Sequence, residues 1–241
     1  MKANRVLWCL FYALLVVTLA ALLFLYVFLV REVTFVGNNR FAAEELTELS
    51  GLAYKESMLL VDKDAITENL QSNPYIVVED IRRRWPSRVE ITLRERTACA
   101  LTQQLGSTVL LDAEGMVLHC EADILRDQLC AVEGWELMAF VPGQIVETAS
   151  PSQLAAYTAV ASQLERFGLN YQVETMDLTD VLHVELTMRD GMVVKLGDSQ
   201  DMTMKMTWLS QMLTELPAEG YSGGTLDLSS GNTATYRPEG E

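Results

Sequence analysis

The chain is poor in the side chains from which enzymes and metal centres are usually built. Two histidines, His119 and His183, and four cysteines, Cys9, Cys99, Cys120 and Cys130, are spread over 241 residues. It has no Cys-x-x-Cys pair, no His-Glu-x-x-His and no calcium loop with a central glycine and terminal glutamate, so the common zinc and calcium motifs are excluded. His119 and Cys120 are neighbours, and in a strand they point to opposite faces, so they do not share one ion. Basic residues are also few: 18 Lys plus Arg stand against 33 Asp plus Glu, a balance that argues against nucleic acid or an anionic lipid surface as a partner. The acids are scattered and define no glycosidase-like couple. Gly220-Tyr221-Ser222-Gly223-Gly224 matches a serine-hydrolase pattern letter by letter, but a helix precedes it and a strand follows. That is the reverse of a nucleophile elbow, and both histidines come earlier in the chain, so Ser222 reads as part of a flexible turn. No cofactor or metal site is expected, and the chain does not read as an enzyme.

What the sequence does have is one long apolar run. Val6 to Val30 is 25 residues without a charge, flanked by Lys2 and Arg5 before and Arg31 after. As a helix it reaches about 38 Å, more than the ~30 Å hydrocarbon core of a bilayer. The expectation is a cytoplasmic tail over 1–5, a single transmembrane helix over 6–30, and the bulk of the chain on the far side, since basic residues stay inside. The rival is a cleaved signal peptide with a small-residue site at Thr18-Leu19-Ala20, which would leave Ala21 to Val30 as an exposed apolar terminus. Beyond the run the charge is 16 basic against 33 acidic residues, or −17. Three cysteines lie beyond it, an odd number. Cys120 and Cys130 are a candidate disulfide, and buried free thiols are the preferred reading.

After the apolar run, Glu32 to Val36 reads as a strand and Gly37-Asn38-Asn39 as a turn. Ala42 to Ser50 reads as a helix with Leu46 and Leu49 inward and Gly51 as its cap. A second helix starts with Asp62 as N-cap, buries Ile66 and Leu70, and stops at Asn73-Pro74. Two strands follow, Ile76 to Trp85 and Val89 to Leu93. The order strand, helix, helix, strand, strand gives an α+β module with two helices on one face of a three-stranded sheet. Its run Val33-Thr34-Phe35-Val36-Gly37-Asn38, then Glu44-Glu45-Leu46 to Ser50-Gly51-Leu52, then Asn73-Pro74-Tyr75-Ile76 with Ile81-Arg82-Arg83-Arg84-Trp85-Pro86 and Leu93-Arg94-Glu95-Arg96, resembles the POTRA domain of the FtsQ/DivIB cell-division proteins. The POTRA domain is placed at 31–96.

From Thr97 the chain turns β-rich. Strands are expected at Ala98 to Leu101, Thr108 to Asp112, Met116 to His119, Val181 to Met188, Met192 to Leu196, Thr225 to Leu228 and Thr233 to Tyr236. Helices are expected at Pro151 to Phe167, with Leu154, Tyr157, Ala161, Leu164 and Phe167 on one stripe, and at about Asp201 to Leu216, closed by Pro217. His183 is expected on the polar face of its strand. Met202, Met204, Met206 and Met212 are expected to fill core. Val109 to Val117 resembles the family's strand, Asp-x-x-Gly turn and strand, and Gly197, Lys205, Leu209 and Leu213 its glycine-then-lysine helix. The pattern departs from the family at Ala98, where a proline is usual, and at Ser229, where an arginine is common. A family-type β domain with two helices is therefore placed at 97–236, with a short tail at 237–241.

The resemblance implies a non-catalytic bitopic scaffold of the bacterial division machinery, held in the cell membrane at the septum. It would gather small bitopic partners of the FtsL and FtsB/DivIC kind and, through them, help control septal peptidoglycan synthases. A last strand with a free edge suits such recruitment. Thr233, Ala234, Thr235 and Tyr236 are the expected edge, with Asp227, Leu228, Ser229 and Ser230 beside it, and Thr235→Pro is expected to abolish partner binding in a folded domain. Arg82 and Arg84 share a face and form a possible docking patch, against the plainer reading that they pair with Glu90, Glu95 or other nearby acids. A different class of function, a membrane-anchored extracellular hydrolase or wall-binding module, would place its site in the second domain. A POTRA-bearing outer-membrane assembly protein lacks the strands for a barrel.

Overall fold

The computed structural model describes residues 2–52, 54–121 and 129–239. The chain divides into two units, Met1–Glu95 and Arg96–Glu241.

The first unit opens with α1 (Lys2–Val27) and continues as β1 (Glu32–Val36), α2 (Ala43–Ser50), α3 (Lys63–Gln71), β2 (Ile76–Arg84) and β3 (Arg88–Glu95). In α1, Leu14, Leu15, Val16, Val17 and Leu19 are each more than half exposed. Among the described residues no helix is long and apolar enough to cross a membrane. The sheet runs β1-β3-β2, with β1 parallel and β2 antiparallel to the central β3. Leu46 from α2 and Ile66 and Leu70 from α3 are buried in one cluster with Ile76, Ile81, Val89, Ile91 and Leu93, so both helices cover the same face. Asp62 caps α3 by accepting the Asp64 and Ala65 N–H groups at 3.0 and 3.2 Å. Gly37 (φ +95°) follows β1 so close to β3 that a Cβ there would sit 2.0 Å from the Leu93 carbonyl oxygen. The turn after it is closed by Glu95, whose carboxylate accepts the N–H groups of Asn39, Arg40 and Phe41.

The second unit holds a nine-stranded mixed sheet. Its strands are β4 (Ala100–Gln104), β5 (Ser107–Leu111), β6 (Val117–Glu121), β7 (Cys130–Glu133), β10 (Val173–Asp177), β11 (Val184–Met188), β12 (Val193–Gly197), β13 (Thr225–Asp227) and β14 (Thr235–Arg237). The small pair β8 (Leu137–Ala139) and β9 (Glu147–Thr148) stands apart, and the helices are α4 (Pro151–Phe167) and α5 (Met202–Ala218). The spatial order is β14-β13-β12-β11-β10-β7-β4-β5-β6. Val160, Ala161 and Leu164 of α4 and Met206 and Leu209 of α5 share one core with Val109, Val132, Met176, Leu186, Val194 and Leu226 from the sheet. The fold class is thus α+β, a module of two helices on a three-stranded sheet followed by a β-rich domain.

Several sequence expectations are corrected. The strand expected at Ala98–Leu101 starts at Ala100 instead, after an extended entry held by the Cys99 N–H to Leu111 C=O bond. His183 is not on a strand: it sits in the turn before β11, its Nδ1 2.8 Å from Asp180 Oδ2. Pro217 does not stop α5 but lies in its last turn, and the helix closes through Glu219, Gly220 and Tyr221 N–H groups bonded back to Glu215, Pro217 and Leu216. Met204 is exposed on α5 while Met202 and Met206 are core. Of the two readings for Cys120 and Cys130 the preferred one holds, since both are free; β6 and β7 are three strand spacings apart, about 14 Å, far beyond disulfide reach.

One corner of this unit is tied unusually tightly. Asp112, in the turn after β5, accepts the Glu114 and Met116 N–H groups on Oδ1 and pairs through Oδ2 with the Arg96 guanidinium, which also reaches Glu114. Above it the Tyr157 hydroxyl of α4 donates to the Asp112 carbonyl at 2.7 Å, and the Trp135 ring lies 5.1 Å from that of Tyr157.

Candidate partner-binding edge

The end of the nine-stranded sheet is built by a short hairpin. β13 is parallel to β12 and β14 antiparallel to β13, with Thr225 opposite Arg237, Leu226 opposite Tyr236 and Asp227 opposite Thr235. Inward packing fixes the register, because Leu226 is fully buried and Tyr236 packs against the same core. The Tyr236 hydroxyl donates to the Gly223 carbonyl at 3.0 Å, and its ring meets that of Tyr221 edge-on at 5.6 Å. The connecting turn is held by Asp227, whose Oδ1 accepts both the N–H and the Oγ–H of Ser229. These bonds hold the Asp227 carboxyl below its usual range. Ser230 and Thr233 close the other half of the turn. Thr233 and Ala234 are therefore captured by the turn and do not belong to the last strand, which shifts to Thr235–Arg237.

Lys205 supports the turn from below. It is almost completely buried on α5, and its Nζ donates to the Asp198 carbonyl at 2.8 Å and to Asp198 Oδ1 at 3.1 Å. The Lys205 Cε lies 3.8 Å from where a Cβ on Gly231 would be.

The direction of the main-chain groups follows from two bonds. Gly224 accepts from Val193 N–H, and Leu228 N–H donates to Lys195, so Gly224, Leu226 and Leu228 face β12. Alternation then turns Thr225 and Asp227 toward β14, and their partners Arg237 and Thr235 toward β13. Tyr236 is left with its N–H and C=O directed away from the sheet. The next residue of that parity, Pro238, has no N–H. This corrects the expectation for Thr235→Pro, since the Thr235 N–H belongs to the hairpin and its loss would damage the fold. Beside the edge, on the polar face, is a groove of about 440 Å³ lined in part by Val193, Lys195, Thr225, Asp227, Thr235 and Arg237.

The other residues singled out in the sequence do not assemble with this edge into a reactive cluster. Ser222 lies in the segment before β13, at the Val193 end of β12. His183 sits at the opposite end of β11, on the order of 16 Å along the strands, and His119 is on β6 at the far sheet edge, roughly 30 Å away. The nucleophile–imidazole geometry that a Ser222 hydrolase needs is not formed. Among the described residues no group of three metal-ligating side chains converges. The basic run is paired within its own unit: Arg84 with Glu90 at 2.9 Å, Arg82 with Asp80 at 2.5 Å, and Arg83 with the Val61 carbonyl at 2.6 Å. No local pattern signals the outward pointing of Tyr236, which depends on the pairing of β12 with β13.

The FtsQ-type POTRA domain model matches residues 28–96, and the model of the C-terminal domain of cell division protein FtsQ/DivIB matches residues 100–229. The chain belongs to the FtsQ/DivIB family of cell-division proteins. Cell division protein DivIB of Clostridium tetani (strain Massachusetts / E88) is 22% identical over 229 residues, covering 94% of this chain and 86% of that protein. Cell division protein FtsQ of Anaeromyxobacter sp. (strain K) is 28% identical over 205 residues, covering 83% and 67% respectively. Among solved structures, the major extracytoplasmic domain of the trans isomer of DivIB from Geobacillus stearothermophilus aligns with 52% of this chain and 96% of its own at 15% identity. Its TM-score is 0.34, so the fold described above rests on the coordinates and on the family match.

Proposed function

We propose that this FtsQ/DivIB-family chain is a non-catalytic, single-pass membrane scaffold of the division machinery. Its helix α1 spans the bilayer, its two folded units stand on the outer side, and it recruits partner division proteins at the septum. The observation that carries the recruiting role is the main chain of Tyr236, whose N–H and C=O point outward from the end of the sheet and meet no strand among the described residues. A strand from another chain can add there, main-chain bonds giving affinity and the adjoining groove giving selectivity. Partners of the FtsL and FtsB/DivIC kind are the candidates, with septal peptidoglycan synthases reached through them. The anchor is supported by the uncharged run Val6–Val30, which is helical as far as Val27; that helical part reaches about 33 Å, enough for a ~30 Å core.

The test is photocrosslinking in dividing cells from a benzoylphenylalanine placed at Thr235 or Arg237, both exposed beside the edge, with Leu105, 93% exposed and remote, as control. Crosslinks from 235 and 237 to a small bitopic division protein, absent from 105, are expected. Equal crosslinking from all three positions, or none from the edge, rejects the assignment. Depletion of the protein is expected to give filamentous or chained cells.

A further inference from the structure

The loop between α2 and α3 is tied directly to the chain leaving α1. The Val30 N–H donates to Glu56 C=O at 2.8 Å, Lys55 N–H to Val30 C=O at 2.9 Å, and Met58 N–H to Phe28 C=O at 2.8 Å. Leu29 bridges Ser57 in antiparallel fashion. Of the residues so placed, Met58 is buried, whereas Leu59 and Leu60 point outward, 53% and 73% exposed. Trp85, 52% exposed, sets its ring edge-on to Phe28 at 5.3 Å. Tyr26 and Val27 at the helix end and Tyr54 in the loop are exposed as well. Apolar and aromatic side chains from three separate segments are thus gathered around the last turn of one helix.

The cations nearby sit at the rim of this patch. The Arg31 guanidinium lies over the Tyr26 ring at 4.8 Å and donates to the Tyr26 carbonyl. Lys55 is exposed, and among the described residues no carboxylate forms an ion pair with it or with Arg31. Tryptophan and tyrosine with an apolar body and a polar tip, flanked by Lys and Arg whose stems lie on apolar surface, form the composition that settles at a membrane–water boundary.

We propose that Leu59, Leu60 and Trp85 form a second membrane contact, inserted into the interfacial zone of the same bilayer that α1 crosses, so that the POTRA-type unit rests on the lipid surface. The proposal rests on the reading of α1 as a membrane anchor. The occupant is lipid because the patch is continuous with the end of α1. About 20 helical residues fill the hydrocarbon core, so Tyr26 and Val27, near the end of the 26-residue α1, reach the headgroup level. The loop is bonded directly to residues 28–30, which follow that level at once, and lies one strand spacing, about 5 Å, from them.

The test uses the full chain with Cys9→Ser and Cys120→Ser, a single nitroxide attached through Leu60→Cys, and vesicles of phosphatidylethanolamine and phosphatidylglycerol without other proteins. Labels through Leu15→Cys on α1 and Leu105→Cys in the second unit give the lipid and water references. Collision of the label with oxygen and with a water-soluble nickel chelate is read by power saturation. The label at 60 is expected to show a several-fold lower nickel accessibility than that at 105, with an immersion depth between those at 105 and 15. A label at 60 as accessible to nickel as that at 105, with 15 in lipid, overturns the second contact alone and leaves the patch to a protein partner. Nickel access at 15 as well removes the anchor, and this inference with it.

Discussion

Substitution of Asp112 separates two kinds of bond made by one carboxylate. Its side chain and that of Arg96 keep only 6% and 11% exposure, so both the pair and the turn bonds are shielded from water. Asp112→Ala removes the acceptor for two turn N–H groups, worth about 1 kcal/mol each, and a charge-assisted bond to Arg96, worth about 1.5–3 kcal/mol. Arg96 keeps Glu114, whose side chain is half exposed, so the expected loss is about 4 kcal/mol rather than the full cost of an orphaned charge. Asp112→Asn retains Oδ1 for the turn and gives up only the ion pair, about 2 kcal/mol. Against a urea slope of about 2 kcal/mol/M, the midpoints should fall by about 2 M and 1 M. Adding Arg96→Met to Asp112→Asn should cost only what remains of the half-exposed pair with Glu114, about 1 kcal/mol or less. The assay is urea unfolding of the full chain in micelles, followed by fluorescence in a variant whose only tryptophan is Trp135. That ring lies tilted against Tyr157, which holds the Asp112 carbonyl, so it reports on this corner. Coincident Asn and Ala midpoints would show that the turn bonds contribute nothing. An Asn variant indistinguishable from the parent would remove the ion pair from the account.

Acid should loosen the turn after β1. Burial pushes the Glu95 carboxyl up, but the N–H groups of Arg40, Asn39 and Phe41 together pull it below its ordinary value. A group with a lowered folded pKa stabilises above its unfolded value, roughly 4.3, and that contribution is lost as pH falls through the folded one. Hydrogen exchange at Asn39–Phe41, corrected for intrinsic rate, should therefore accelerate below about pH 4, and Glu95→Gln should flatten the dependence; an unchanged slope in Glu95→Gln refutes the assignment. Burial also pushes the Cys99 and Cys130 thiols up to about 12, so neither should react with iodoacetamide at pH 8 until urea opens the unit. Prompt labelling of either, located by mass spectrometry, would contradict the packing described.

Elements whose signal is local were legible from the sequence. Asp62 with Ile66 and Leu70 marked α3 down to its cap, and the stripe from Leu154 to Phe167 marked α4, because helix periodicity and capping are written within a few residues. β7 and β10 were missed. Cys130–Glu133 is four residues long, and its place at the middle of the sheet comes from parallel neighbours distant in sequence, Ala100–Leu101 and Thr175–Asp177. β10 carries a bulge between Val173 and Thr175, which breaks the alternation by which a strand is recognised. At the candidate site the residues were largely named in advance, but not their orientation. Ser229, Ser230 and Thr233 form the turn, and the outward direction of Tyr236 follows from the pairing of β12 with β13, which no local pattern encodes. The arginine run, prominent in so acidic a sequence, is accounted for by Asp80, Glu90 and the Val61 carbonyl.

The proline after β14 has a consequence for how far this sheet can grow. Under the proposed strand addition, an incoming strand would close a reciprocal ring with Tyr236 and two residues later find no donor at Pro238, so the adhesive stretch would be limited to a single step. Main-chain bonds alone would leave the visitor's register open, since any of its residues of the right parity can meet Tyr236, so the alignment would be set by the side chains that enter the adjoining groove. The sheet ends in a socket and not in a template on which copies could queue.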